Sequence, residues 1–236
     1  MAFHYSPKLV QDSLVFCFDP ANSKSLVSGT TSYLDLSKNE WSATLVNGCS
    51  FSSDNYGNLI LDGVNDHVST NYTTAFGTSN LTISIWFNFT TNQIGCIFSK
   101  RIGAPTFEQL SIFISSNVIA SISGARIAVN DNNTGINRNY LSSRNFNDGL
   151  WHNFVVVRDT SQNRYFIDGV LDSVVTSSKP NLSTSSRIFF GTSGDNLNPS
   201  TLFFNGRMGS VYLYNKALTA TEVQQNFDAI KSRYLL

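Results

Sequence analysis

WHNFVVVRDTSQNRYFIDGVLDSV, residues 151–174, reads as three short strands and two turns. Val155, Val156 and Val157 are consecutive β-branched residues, the pattern of a strand buried on both faces. Asp159 to Asn163 is a polar turn, and Tyr165, Phe166 and Ile167 resume the strand. Asp168-Gly169 is a hairpin signal, because a two-residue type I′ turn needs positive φ at both positions. Val170 to Val175 then runs back, completing an antiparallel meander on which the rest of the chain is expected to layer.

The other segments share this grammar. Leu14–Phe18 is a strand, broken by Asp19 to Lys24, and Ser28–Ser32 is loop. Asp35 to Asn39 has turn chemistry, and Leu45-Val46 ends at a further primed-turn pair, Asn47-Gly48. Leu59–Leu61 runs into Asp62-Gly63, with Val64–Ser69 following. Leu81–Phe89 alternates strictly: Leu81, Ile83, Ile85, Phe87 and Phe89 face one way, with that face in the core. Ile94–Ser99, Leu110–Ile114 and Val118–Ile122 are further strands, and Asn130–Asn147, rich in Asn, reads as a long surface loop. Arg187–Phe190 and Arg207–Tyr214 flank a Gly/Asn/Pro loop at 191–200. Thr219 and Glu222 form a capping box, and Val223, Phe227, Ile230 and Tyr234 share one helical face, placing a C-terminal helix at 219–234. The expected fold is all-β: a two-sheet antiparallel sandwich with one short C-terminal helix, a single domain over residues 1–236. Residues 1–13, too polar for the core, are expected to form an N-terminal arm.

Composition bounds the function. The 236 residues carry 16 Lys+Arg against 16 Asp+Glu, a formal net charge of zero, and no basic run, which argues against a nucleic-acid partner. No stretch is long and apolar enough to span a membrane, and no signal peptide is apparent, so synthesis in the cytoplasm is expected. Cys17, Cys49 and Cys96, odd in number and set in or beside strand-like runs, are expected to be free thiols. The N-x-Ser/Thr triplets at Asn71, Asn80, Asn88, Asn132 and Asn181 then follow from an Asn- and Ser/Thr-rich surface.

Several motifs, in order along the chain, resemble the concanavalin A-like superfamily in its laminin-G-like and pentraxin-like branch. They are Asp35–Asn39, Leu61–Val68, Leu81–Trp86, Leu150–Phe154, Phe166–Val170 and Phe204–Tyr214, the last running into Lys216–Val223. The resemblance implies a jelly-roll sandwich. Leu14–Lys24, Gly29–Tyr33 and Glu222–Tyr234 are similar to stand-alone laminin-G-like proteins of tailed marine and cyanobacterial bacteriophages. That similarity implies a virion structural protein, most naturally a capsid decoration or accessory protein on the particle surface. Its implied partners are the major capsid protein, other virion proteins and copies of itself. The alternative is a lectin-like module that binds host glycans, on a tail or fibre.

Glycosidase chemistry needs two carboxylates across the scissile bond. The chain has three glutamates: Glu40 lies in a loop, Glu108 stands alone and Glu222 caps the helix, so no catalytic residue and no enzyme is expected. His4, His67 and His152 lie in no local motif with a Ser or Cys nucleophile. Calcium is the one cofactor the chain could hold, through Asp19, Asp62 and Asp66 with Asn22 and Asn65, set against the tendency of Asp and Asn to fill turns. The pentraxin-like calcium pattern is not matched: residues 100–108 carry Lys100 and Arg101 with only Glu108, and Asp195 is a lone counterpart of the second acidic stretch. A glycan site needs an exposed aromatic platform beside polar groups, for which Trp41, Tyr72 and Tyr140 are candidates, with Tyr33 and Tyr56 in similar loop-like stretches.

Overall fold

In the computed structural model the Asp168-Gly169 turn has φ 51° and 82°, both left-handed, and closes the expected hairpin. The structure describes residues 7–25, 30–102, 108–115, 125–132, 138–176, 179–195 and 198–234. The strands are β1 (Leu14–Phe18), β2 (Ser32–Leu34), β3 (Ser42–Val46), β4 (Ser50–Ser52), β5 (Asn58–Asp62), β6 (His67–Thr70), β7 (Leu81–Asn88), β8 (Gly95–Arg101) and β9 (Gln109–Ser115). They continue with β10 (Arg126–Asn132), β11 (Arg138–Asn145), β12 (His152–Arg158), β13 (Gln162–Ile167), β14 (Val170–Thr176), β15 (Phe189–Phe190), β16 (Ser193–Asp195), β17 (Asn198–Thr201) and β18 (Asn205–Tyr214). One helix, α1 (Ala220–Ile230), follows and ends in a 3-10 turn at Lys231–Tyr234.

Two antiparallel sheets make the sandwich. The first has the order β14-β13-β12-β7-β18-β5-β4, with β1 also paired to β18; the second has the order β11-β10-β9-β8-β15-β6-β3-β2. The meander is therefore one flank of the first sheet. Val156 pairs with Ile83 of β7, which pairs on its other side with Leu213 of β18. Between the sheets lies one core, to which the first contributes Ile83, Ile85, Phe87, Phe154 and Val211 and the second Val68, Ile112, Ile127 and Phe190. Each such apolar side chain contributes about 1.5–3 kcal/mol on burial.

The alternation of β7 predicts one buried face, but all of Leu81–Phe87 is buried. A second apolar cluster covers the outer face, where α1 lays Val223, Phe227 and Ile230 over Trp86, Val155, Val157, Tyr212 and Tyr214. The indole of Trp86 stacks on Phe227 at 5.6 Å and on Tyr234 at 4.4 Å. Of residues 7–13, expected as part of an N-terminal arm, Leu9 and Val10 pack into this cluster, while Pro7, Lys8, Gln11 and Asp12 are exposed. Val10 is buried and donates its amide to Asn226 Oδ1 at 2.8 Å, while the Gln225 amide donates to the Lys8 carbonyl at 2.7 Å. Residues 1–6, and His4 with them, lie outside the described residues.

Other expectations change with the third dimension. Asn130–Asn147 is not a single loop: its described residues up to Asn145 belong to β10 and β11, which pair with each other. Its polar composition reflects what those strands face. Asp131, buried, accepts from the guanidinium of fully buried Arg158 at 3.0 Å and from Asn163 at 3.1 Å. The stretch 191–200 holds the short ribbon β16–β17. Asn47-Gly48 and Asp62-Gly63 do not close hairpins; each passes the chain from one sheet to the other. Val118–Ile122 lies outside the described residues. Cys17, Cys49 and Cys96 are free, and burial pushes the thiols of Cys17 and Cys49 up to about 12. His67 and His152 are buried packing residues, the former against Phe189 and Phe203.

Candidate functional site

Asp35 begins the construction of the site. Its carboxylate accepts the amides of Cys17 at 2.7 Å and Ser37 at 2.9 Å, and its own amide donates to the Trp41 carbonyl at 2.9 Å. The turn 35–41 is thereby fastened to β1. Asn39, in the same turn, spends its side-chain amide on the Val15 carbonyl at 3.1 Å. Trp41 is left half-buried, its ring tilted against Tyr72 with centroids 5.0 Å apart.

The opposite wall is the link between β6 and β7. Thr70 ties its start: its hydroxyl donates to the Ile188 carbonyl at 2.9 Å and accepts the Tyr72 amide at 3.2 Å. Arg158 holds its end, donating to the carbonyls of Gly77 at 3.0 Å and Ser79 at 3.4 Å. Lys179 donates to Asn80 Oδ1 at 2.5 Å. Between these walls is a cavity of about 310 Å³ whose base includes Leu81 and Leu213 and whose exposed rim carries Asn39, Ser79 and Asn215. This volume is at the small end of ligand pockets. No acidic residue lines it. Behind Tyr72 and Phe76 lies Lys100, fully buried, its ammonium 5.7 Å and 5.4 Å from the two ring centroids and donating to the Ser186 carbonyl. Burial lowers the Lys100 pKa to about 8 and pushes the Tyr72 phenol up to about 12.

Of the aromatic candidates, the structure brings Trp41 and Tyr72 together and separates the rest. Tyr72 is a wall, not an exposed platform, because its ring packs on Phe16 and Phe76 as well as Trp41. Tyr140 is buried, stacked on Tyr165 at 4.0 Å with its hydroxyl donating to Asp172 at 2.5 Å, so it offers no surface to a glycan. Tyr33 is equally buried, against Phe18 at 4.8 Å. Tyr56 is 76% exposed, away from this cavity. Asn39, Ser79, Asn80 and Asn215 were not singled out as ligand contacts from the sequence. They come from three separated segments, and no periodicity joins them.

The calcium candidates do not converge. Asp19 is buried, accepting both a bidentate contact from Arg233 at 2.9 and 2.8 Å and the Ser210 hydroxyl at 3.1 Å; a guanidinium already occupies the place of a cation. Asp62 turns onto the amides of Val64 at 2.8 Å, Asn65 at 3.3 Å and Asp66 at 3.4 Å, and Asp66 accepts the Asp62 amide at 3.2 Å. Asn22 accepts the Lys24 amide at 3.0 Å. Among the described residues no three His, Cys, Asp or Glu side chains form a metal-sized cluster. The glutamates are spent likewise: Glu108 accepts the Ser183 hydroxyl and the Thr184 amide, each at 2.7 Å, and Glu222 completes the capping box with Thr219.

A family model, Laminin_G_3, described as "Concanavalin A-like lectin/glucanases superfamily", matches residues 62–224. No curated protein sequence matches the chain. Among solved structures, one similar fold is Domain 4 of AbnA, a GH43 extracellular arabinanase from Geobacillus stearothermophilus, in complex with arabinotriose. It is 13% identical, with 91% of this chain and 98% of that chain covered at a TM-score of 0.63. The binding domain of Paraclostridial Mosquitocidal Protein 1 is 16% identical, with 92% of this chain and 52% of that one covered at 0.68. A Trypanosoma rangeli sialidase in complex with 2,3-difluorosialic acid is 12% identical, with 94% and 33% covered at 0.69. The chain thus spans about half of the second and a third of the third. At these identities the likeness is one of fold, and the neighbours include both glycosidases and a binding domain. The family match extends over most of the sandwich, from the Asp62 crossover into α1: the chain belongs to the Concanavalin A-like lectin/glucanases superfamily.

Proposed function

We propose that this protein is a non-catalytic carbohydrate-binding module whose site is the cavity between the 35–41 turn and the β6–β7 link. The observation that carries the reading is the half-buried Trp41 ring, held against Tyr72 beside a rim of amides and hydroxyls that contains no carboxylate. A sugar presents C–H faces that pack on an indole and hydroxyls that both donate and accept, which suits Asn and Ser side chains. Hydrolysis needs a carboxylate pair; Glu108 and Glu222 are committed to local hydrogen bonds, and Glu40 does not line the cavity. The arabinotriose complex of the AbnA domain supports this choice of ligand class.

The test is calorimetric titration with arabinotriose after a glycan array, with and without calcium. Trp41→Ala is expected to weaken binding by about tenfold or more, with Trp41→Phe retaining part of it. An array with no hits, or equal affinity in Trp41→Ala, overturns the reading.

A second reading places the module on a bacteriophage virion, as a capsid decoration or accessory protein made in the host cytoplasm, contacting the major capsid protein and copies of itself. The observation favouring it is that the two phage-like ends meet in the fold: Arg233 donates to the buried Asp19 carboxylate at 2.9 and 2.8 Å. Mass spectrometry of purified virions tests it, and absence of the chain from the particle ends it.

A further inference from the structure

A cavity of about 420 Å³ lies at the far end of β7 and β18 from Trp41, lined in part by Asp54, Asn55, Leu150, Trp151, Arg207 and Tyr234. It shares no residue with the first. Seven residue steps of β7 separate Leu81 at one cavity from Asn88 at the other, roughly 23 Å of strand. Its wall is a strained turn. Asn55 has φ 52° and Tyr56 φ 66°, two adjacent non-glycine residues in the left-handed region. For a bulky residue this is a rare conformation costing about 1–3 kcal/mol. The strain does not bury the tyrosine, which is 76% exposed.

The surroundings hold the turn in place. Trp151 Nε1 donates to Asn55 Oδ1 at 3.1 Å, Asn55 Nδ2 to the Arg233 carbonyl at 3.2 Å, and Asn58 Nδ2 to the Asp54 carbonyl at 2.7 Å. Asp54 pairs with Arg207 at 2.9 Å, with both side chains partly exposed. We propose that this turn and cavity form a second, separate binding site, for a neutral saccharide. The Asp54–Arg207 pair supplies an acceptor and donors side by side and disfavours a ligand of either net charge. Tyr56 and Leu150, both exposed, offer apolar surface to the C–H face of a sugar ring, while Trp151 and Tyr234 are buried in the wall. The preformed backbone of the turn reduces the ordering cost that binding has to meet.

The chain's three tryptophans make the test selective. Trp41 reports the first cavity, Trp151 the second, and Trp86, buried under α1, reports the fold. Indole N–H signals in 1H–15N spectra are followed while methyl glycosides of glucose, galactose and arabinose are added, with N-acetylneuraminic acid and glucosamine as charged controls. The expected result is a saturable shift of the Trp151 signal with a neutral glycoside, preserved in Trp41→Ala. Tyr56→Ala and Arg207→Met are each expected to weaken it about tenfold while Trp86 stays put. A Trp151 signal unmoved by every neutral glycoside overturns the second site and leaves Trp41 to report independently on the first. Wild-type titration curves in both variants, or a response to the charged sugars alone, overturn it equally.

Discussion

Asp168 does two jobs, and only one of them is written locally in the sequence. Its φ of 51° fits the Asp-Gly hairpin. Its carboxylate also reaches His152 Nδ1 at 2.9 Å, the Asn153 amide at 2.8 Å and the Arg144 guanidinium, while His152 Nε2 lies 3.2 Å from Asp148. Burial opposes ionisation of Asp168, but the hydrogen bonds from His152 and Asn153 and the attraction of His152 and Arg144 outweigh it and hold the carboxyl below its ordinary range. A folded-state pKa below the unfolded value gives stability that is complete above the unfolded pKa and lost as pH falls through the folded one. Asp168→Asn keeps a residue that tolerates positive φ and removes the charge. It should cost about 1–2 kcal/mol at neutral pH in urea unfolding. The gap to wild type should start to narrow as pH falls below the unfolded carboxyl's value of about 4 and close only below the lowered native pKa; a gap constant down to acid would show that the charge is not the cause. Contacts of this kind explain why candidate residues were only half legible. Asp62, Asn65 and Asp66 do lie at a turn, but Tyr33 and Tyr140, expected in loop-like stretches, lie in β2 and β11, and whether a Tyr is a surface (Tyr56) or a wall (Tyr140) depends on the strand that arrives beside it.

At the level of elements, pattern was legible wherever one face decides burial, and illegible where a distant segment covers the other. The meander, β1, β18 and α1 stood out because apolar periodicity and turn chemistry agree. The outer face of β7 did not, because Trp86 is covered by a helix more than a hundred residues later, Thr82 is held by Lys216 and Leu218 just before that helix, and Ser84 accepts from Asn153 of β12. Gly209 records the same contact. A Cβ there would sit 2.1 Å from the Tyr234 hydroxyl and 3.0 Å from Trp86, beside the register shift of β18 against β7. The β10–β11 hairpin was hidden by the reverse effect, since buried Asp131 and Asn130 read as surface until Arg158 and Asn163 supply partners. Helix α1 therefore stabilises by burial more than by its own propensity. Thr219→Ala, which removes the capping hydroxyl, should cost about 1 kcal/mol. Phe227→Ala, which uncovers Trp86, should cost about 3–5 kcal/mol. Denaturant titration followed by Trp fluorescence orders the two; equal losses would mean that α1 is held by its cap and not by its apolar face.

The whole molecule presents an edge that its charge does little to protect. β14 ends the first sheet with Val170, Leu171 and Val174 exposed at 68%, 48% and 46%, and the strand contains no Lys, Arg or Pro. Such open edges template pairing with another chain unless bulges or charges interrupt them. One bulge is present: Asp172 is skipped between Ser173 and Leu171 in the register with β13, and it turns to Tyr140 and Ser143 of β11. That ties the two sheets together but removes from the edge the one charge β14 carries. With 16 cationic and 16 anionic residues and an isoelectric point near 6.8, there is little net repulsion at neutral pH to keep copies apart. Self-association should therefore be strongest near pH 6.8 and weaken as net charge grows on either side. Leu171→Lys places a charge on the edge without touching the core and should shift the protein toward monomer at that pH. Sedimentation equilibrium of wild type and variant from about pH 5 to about pH 9 separates the two contributions. A pH-dependent association that Leu171→Lys leaves unchanged would move the contact to another face, whereas one that disappears in the variant assigns it to β14.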